Sequence, residues 1–118
     1  MLVYANGQRY FGEFARSDKN GKGVYYWKNE DRYEGEWLDN NISGYGIAYY
    51  LNGDRYEGEW KNGLKNGFGR YTYSDGRIYD GPYVNHKRHG EGVFGLTTGH
   101  KFREVWNNGN KITQTLLN

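Results

Sequence analysis

Arg55-Tyr56-Glu57-Gly58-Glu59-Trp60 alternates strictly: Tyr56, Gly58 and Trp60 fall on one side of an extended chain, and Arg55, Glu57 and Glu59 on the other. Such a hexapeptide reads as a β-strand with one aromatic face and one charged face. The same six residue types stand at Arg32–Trp37, and the offset between the two copies is 23 residues. Carried outward, that offset aligns Tyr10, Tyr33, Tyr56, Tyr79 and Phe102 with no insertion or deletion. Behind them run Gly12, Gly35, Gly58 and Gly81, then Phe14, Trp37, Trp60, Tyr83 and Trp106. A turn column holds Gly7, Glu30, Gly53, Gly76 and Gly99, and Gly-x-Gly pairs begin at Gly21, Gly44, Gly67 and Gly90. So many columns in register make the repeat the organising fact of the chain.

The segments between glycines are too short for helices and rich in Tyr, Val and Trp, so each unit reads as strand, turn, strand. The expected fold is all-β: a single-layer, twisted antiparallel sheet of about five tandem hairpins, at residues 1–14, 23–37, 46–60, 69–83 and 92–106. Ten strands at about 4.8 Å spacing would make a ribbon roughly 45 Å long. Asn52-Gly53 and Asp75-Gly76 are type I′ hairpin signals, in which both central residues take positive φ. A two-residue turn at Asn52-Gly53 sets Tyr49 opposite Tyr56, and a three-residue turn reverses that parity. Gly12, Gly35, Gly58 and Gly81 are expected to act as structural slots, admitting a neighbouring ring or backbone into the stack.

Composition agrees with this reading. Aromatic residues make up 19% of a chain that is only 36% apolar, so any core must be built from rings. Nineteen glycines and one proline suit short strands and tight turns. Sixteen basic and 14 acidic residues alternate along the chain, which argues against a nucleic-acid surface. With no cysteine, disulfides and thiolate chemistry are excluded. No apolar run reaches the roughly 20 residues of a membrane helix and the start has no signal-peptide pattern, so a cytoplasmic chain is expected.

Tyr-Glu-Gly-Glu-Trp at 33–37 and 56–60, followed by Gly44-Tyr45-Gly46 or Gly67-Phe68-Gly69, resembles the MORN repeat, the membrane occupation and recognition nexus motif. Lys61-Asn62-Gly63-Leu64-Lys65-Asn66 continues the resemblance between hairpins, which covers residues 1–109. It implies a single-layer sheet in a protein that scaffolds or tethers others. Members of that family occur in axonemal radial spokes, cytoskeletal structures, junctional membrane tethers, and beside separate catalytic domains in kinases and a methyltransferase. Four features depart from the pattern: Glu104 for glycine, Pro82 for glutamate, and Gly95 and Leu96 in the last first-strand. Residues 110–118 are expected to form a C-terminal cap or tail, lying over the last hairpin or pairing with another subunit. The chain begins mid-pattern, as a short native start or as a cut from a longer array.

No residue pattern points to catalysis. Ser17, Ser43 and Ser74 have no histidine at a suggestive spacing, and no helix follows the Gly-x-Gly pairs to cradle a phosphate. His86 and His89 read as loop residues rather than metal ligands, since no third ligand is near. No enzyme, cofactor or metal is therefore expected. The residues expected to meet a partner are Tyr33, Trp37, Tyr56, Trp60, Tyr79 and Tyr83, because a sheet without a covering layer leaves aromatic surface to water. The expected function is a non-catalytic protein-interaction scaffold in a ciliary, axonemal or other cytoskeletal assembly, with self-association through the array ends open to it. The alternative is a peripheral membrane tether that recognises acidic phospholipids.

Overall fold

The computed structural model describes residues 1–117, which form one open antiparallel sheet of twelve strands and no helix. The strands are β1 (Leu2–Val3), β2 (Arg9–Ala15), β3 (Asp18–Tyr26), β4 (Arg32–Leu38), β5 (Asn41–Tyr49), β6 (Arg55–Lys61), β7 (Leu64–Thr72), β8 (Ile78–Val84), β9 (Lys87–Arg88), β10 (Gly90–Gly95), β11 (Lys101–Asn107) and β12 (Asn110–Leu117). They follow one another in chain order across the sheet, except that β9 and β10 both pair with β8. The body is elongated, 51 × 24 × 19 Å. Tandem hairpins in a single layer are what the repeat predicts.

Two kinds of turn alternate, and they exchange the places expected for them. The type I′ turns lie between repeats, at Arg16-Ser17, Asp39-Asn40, Asn62-Gly63, Asn85-His86 and Asn108-Gly109, where both residues have positive φ. Pairing runs right up to them, as in Lys61 opposite Leu64. The expected inter-repeat loops are therefore tight hairpins, and the first strands of the expected hairpins at 23, 46 and 69 begin five residues earlier, at Asp18, Asn41 and Leu64. Gly21, Gly44 and Gly67 sit inside β3, β5 and β7.

At Asn52-Gly53 only Gly53 has positive φ, at 95°. Tyr50 N–H donates to Asp54 O and Gly53 N–H to Tyr50 O, both at 2.9 Å, which closes a three-residue loop. The Asn52 side chain accepts the Asp54 N–H at 2.9 Å, and this local bond holds Asn52 out of the left-handed region. Asp75-Gly76 behaves alike, with Gly76 donating to Tyr73 O at 2.9 Å. The type I′ expectation at both sites is corrected, and parity follows: Ala48 faces Tyr56 and Tyr49 faces Arg55.

The residues of 110–117 are a full strand, joined to β11 through the Asn108-Gly109 turn and exposed along its whole length. Asn118 lies outside the described residues.

Burial follows the Tyr/Gly/Trp face. Tyr10, Tyr33, Tyr56 and Tyr79 are fully buried, joined by Trp37, Ile42, Ala48, Trp60 and Tyr83. Each tyrosine lies flat over the facing glycine of the next strand: a Cβ on Gly46 would overlap the Tyr33 ring, and one on Gly69 the Tyr56 ring. The sequence-singled Gly12, Gly35 and Gly58 stand opposite Gly23, Gly46 and Gly69, and a Cβ on Gly35 would come within 2.5 Å of the Gly46 Cα and 2.7 Å of Tyr45 O. Gly81 lies under its own Tyr79 ring.

A candidate partner-binding trough

The core rings form one edge-to-face chain along the sheet. Trp37 sits between Tyr10 (5.2 Å) and Tyr33 (5.6 Å), and Trp60 between Tyr33 (5.4 Å) and Tyr56 (5.3 Å). Tyr83 then bridges Tyr56 and Tyr79, and Tyr79 meets Trp106. Such contacts add about 0.5–1.5 kcal/mol each beyond burial. The Tyr33 and Tyr56 hydroxyls donate to Glu36 O and Glu59 O, at 3.0 and 3.2 Å, and the Trp37 and Trp60 indoles donate to Gly23 O and Gly46 O, at 3.3 and 3.1 Å. Burial raises the tyrosine pKa values, Tyr79 to about 12.

The rings named from sequence as partner-facing are thus placed in the core. Tyr33, Trp37, Tyr56, Trp60, Tyr79 and Tyr83 are at most 6% exposed, because each ring lies across glycine backbone on one side and against a neighbouring ring on the other. A single layer closes over its own aromatic residues once glycine removes the side chains beneath them.

What the face presents instead is a second row of half-buried rings, Tyr25, Trp27, Tyr50, Tyr71, Phe94 and Trp106, packed on that core. They come mainly from the ends of β3, β7 and β10 and, for Trp27 and Tyr50, from the residues that open the three-residue loops after β3 and β5. Tyr25 meets Trp27 at 5.4 Å, Tyr50 stacks on Tyr71 at 6.1 Å, and Tyr71 meets Tyr73 at 4.8 Å. The face is rolled into a trough: one concavity of about 420 Å³ is lined by Trp27, Lys28 and Asn29 from one margin and by Gly63 and His86 from the other, with Tyr50 and Trp60 in its floor. Apart from Trp106, which belongs to the tryptophan column, these rings stand outside the Tyr/Gly/Trp alternation. The open turn parity hid which face they share.

A column of cations also enters the trough. Lys19, Ile42, Lys65 and Arg88 recur at the 23-residue spacing, and Lys19, Ile42 and Lys65 are buried. Lys19 Nζ lies 5.4–5.7 Å from the centroids of Tyr4, Tyr10, Tyr25 and Trp37. Lys65 Nζ lies 5.2–5.9 Å from Tyr50, Tyr56, Tyr71 and Tyr83, and Arg88 lies 4.0 Å from Tyr79 and 5.3 Å from Trp106. Burial, and secondarily the Arg88 charge, lower the Lys65 pKa to about 8.

The outer face carries the pairs expected of alternating charge, among them Arg70–Asp80 at 2.7 Å and Arg32–Glu34 at 3.5 Å. It also bears exposed Tyr45 and Phe68. Glu36 and Glu59 turn their carboxylates back into the sheet, accepting the Tyr45 and Phe68 N–H groups at 2.9 and 2.6 Å beside the register shifts of β4–β5 and β6–β7. His86 Nδ1 accepts the Lys65 N–H and His89 Nδ1 the Asn108 N–H, so both rings tie turns to neighbouring strands. Among the described residues no cluster of three metal-ligating side chains occurs.

No curated protein matches the chain. The family model described as MORN repeat matches residues 10–32, 33–55, 56–76 and 79–101. Each matched unit opens on a buried tyrosine of the core. MORN repeats are non-enzymatic modules that bind proteins or membranes. With four copies across most of its length, the chain belongs to the MORN-repeat family.

Proposed function

We propose that the chain is a non-catalytic scaffold that holds a segment of a partner protein in its aromatic trough, within a cytoskeletal assembly such as that of a cilium. The observation that carries this reading is the row of half-buried rings, Trp27, Tyr50, Tyr71, Phe94 and Trp106, which pack on the core and leave part of their own surface to water. Rings of this kind supply large, stiff contact area, and aromatic residues dominate binding hot spots. The ciliary setting rests on the family resemblance alone.

A peripheral tether to acidic phospholipids is the second reading, favoured by Lys19, Lys65 and Arg88, which share the trough with no ion pair among the described residues. Their place among the floor rings suits a chain that enters the trough better than a flat bilayer surface.

Proximity labelling with the tagged protein identifies partners, and variants then locate the surface. Trp27→Ala should cost a captured partner about 2 kcal/mol of affinity, close to thirtyfold. Tyr45→Ala, on the outer face, should leave binding unchanged. Loss with Tyr45→Ala and not with Trp27→Ala would move the working surface to the outer face.

A further inference from the structure

Ile42 shows that the column at the trough floor accepts an apolar side chain at 6% exposure. The fold therefore does not need a cation there, yet Lys65 and Arg88 occupy the equivalent places in the next two repeats. A charge so far removed from water is costly unless it is compensated. Rings offset part of that cost, since Lys65 faces Tyr50, Tyr56, Tyr71 and Tyr83. The Arg88 guanidinium is aimed by Tyr83 Oη, which accepts from Nε at 3.3 Å, and Tyr73 Oη, which accepts from Nη2 at 2.8 Å. Among the described residues neither cation has a carboxylate within ion-pair distance, and Lys65 Nζ makes no hydrogen bond.

The two cations flank the same ring, each about 5.7 Å from the centroid of Tyr71. They open on one concavity of about 330 Å³, lined also by Tyr83, His86, Lys87 and Trp106 and by no acidic residue. The other groups facing Lys65 are Tyr50 and Tyr56, both neutral below pH 10, and the His86 ring, whose pKa is lowered by burial and by Lys65 itself. Two carboxylates bond to its walls, Asp54 accepting the Tyr71 hydroxyl at 2.6 Å and Glu104 the Trp106 indole N–H at 3.1 Å, but among the described residues neither pairs with Lys65 or Arg88, and the positive, aromatic-walled recess is complementary to an anion carried on an apolar chain.

We propose that Lys65 and Arg88 form an anion-binding subsite in the trough that takes the carboxylate of a glutamate or aspartate on the bound partner segment. This rests on the reading of the trough as a peptide site and adds its chemistry: the partner is acidic, and its carboxylate is flanked by apolar side chains that lie on Tyr71 and Trp106.

The test uses fluorescence anisotropy with the full chain and a labelled peptide of alternating glutamate and leucine, beside its glutamine-for-glutamate counterpart. The glutamate peptide should bind about tenfold or more tighter than the glutamine one, and Lys65→Met and Arg88→Met should each remove most of that preference. If Lys65→Met does not fold, Lys65→Ile, which copies the second repeat, replaces it. A measurement on the unaltered protein runs alongside: the Lys65 Nζ resonance should titrate at higher pH with the glutamate peptide bound. Equal affinity for the two peptides, no binding of either, or a preference that survives Lys65→Met overturns the subsite. So does Lys65-dependent binding to phosphatidylcholine vesicles containing phosphatidylserine when the glutamate peptide is not bound. Equal binding of both peptides that is weakened by Trp27→Ala would remove the subsite and keep the trough. Failure of the trough itself would show as a captured partner indifferent to Trp27→Ala.

Discussion

In the third repeat Tyr56 lies over Gly69, its hydroxyl bonded to Glu59 O, and Trp60 is buried against it. In the last hairpin Phe102 holds the tyrosine column, Glu104 stands where Gly58 stood, and Trp106 is only half-buried. Glu104 is 3% exposed, and its carboxylate accepts the Trp106 indole N–H at 3.1 Å and the Gln114 amide at 2.8 Å. The register differs as well. Between Gly58 and Trp60 the partner strand moves from Gly69 to Lys65, and over the equivalent interval from Glu104 to Trp106 it moves from Gln114 to Lys111, one residue less. Central repeats thus bury a ring by deleting the side chain beneath it, and the terminal hairpin fills the same place with a polar plug. The first device recurs at Gly23, Gly46, Gly69 and Gly92, while the second occurs at Glu104 beside Trp106.

The largest expected effect comes from filling a central slot. Gly46→Val puts side-chain atoms inside the Tyr33 ring and should cost about 3 kcal/mol. Gly95→Ala, where the nearest atoms are 3.8 and 3.9 Å from the new Cβ, should change stability by less than about 1 kcal/mol. Repeat arrays unfold piecewise, so hydrogen exchange resolved by strand is the measurement to use beside urea unfolding. Equal effects at the two glycines would show that the slot does not hold the stack.

Next comes the plug. Glu104→Ala strands the Trp106 indole and the Gln114 amide, and should cost about 2 kcal/mol. Exchange should quicken in β11 and β12 and stay slow in β4–β7. A uniform loss across the sheet would mean that the two regions are not separable.

How much of this was legible depends on which signal each feature leaves. The period, the strand faces and the glycine column are written as repeated residue types, and they gave the sheet. The turns were misassigned because Asn-Gly occurs in both kinds: Asn52 keeps negative φ through its own bond to Asp54 N–H, whereas Asn62 and Gly63 both take positive φ. The glycine slots were legible, but that they bury Tyr33 and Trp60 almost completely was not, since it depends on rings lying flat over glycines of the next strand. Lys65 was overlooked because a lysine between two loop-like residues reads as solvated. Its place in β7 opposite Trp60 and among four rings exists only in three dimensions.

The second and third repeats differ at Ile42 and Lys65, and pH separates them. Lys65 titrates near 8 in the folded chain and at the ordinary lysine value of 10.5 once unfolded, so between those values the unfolded state binds more protons. Stability conferred at this site therefore rises as pH goes from about 8 to 10.5. The buried tyrosines act the other way, since a raised folded pKa gives stability that is lost above pH 10; Tyr50 and Tyr79 titrate near 12. Wild type compared with Lys65→Met by urea unfolding isolates the lysine, and the difference should shift in favour of wild type up to about pH 10. A flat difference would mean that the Lys65 charge is already compensated.

The smallest effect concerns the junction between the two regions. Glu13, Glu36 and Glu59 each accept a backbone N–H from the next strand, those of Lys22, Tyr45 and Phe68. In the fourth repeat that column holds Pro82, which offers no carboxylate, and the facing strand is broken there into β9 and β10. The Pro82 carbonyl accepts the His89 N–H at 3.2 Å, and the buried Tyr79 hydroxyl has no partner among the described residues, unlike those of Tyr10, Tyr33 and Tyr56. Pro82→Glu restores a carboxylate acceptor for the Glu91 N–H and lets the carbonyl of position 82 turn toward Tyr79. One recovered charge-assisted bond should stabilise the fourth repeat by about 1 kcal/mol, offset in part by the freedom the unfolded chain regains without proline. Exchange at Glu91 should slow while that at Tyr45 and Phe68 stays as it is. If Glu91 exchange does not slow, the glutamate column follows the register shift rather than supporting it, and the break between β9 and β10 has its origin in His89-Gly90.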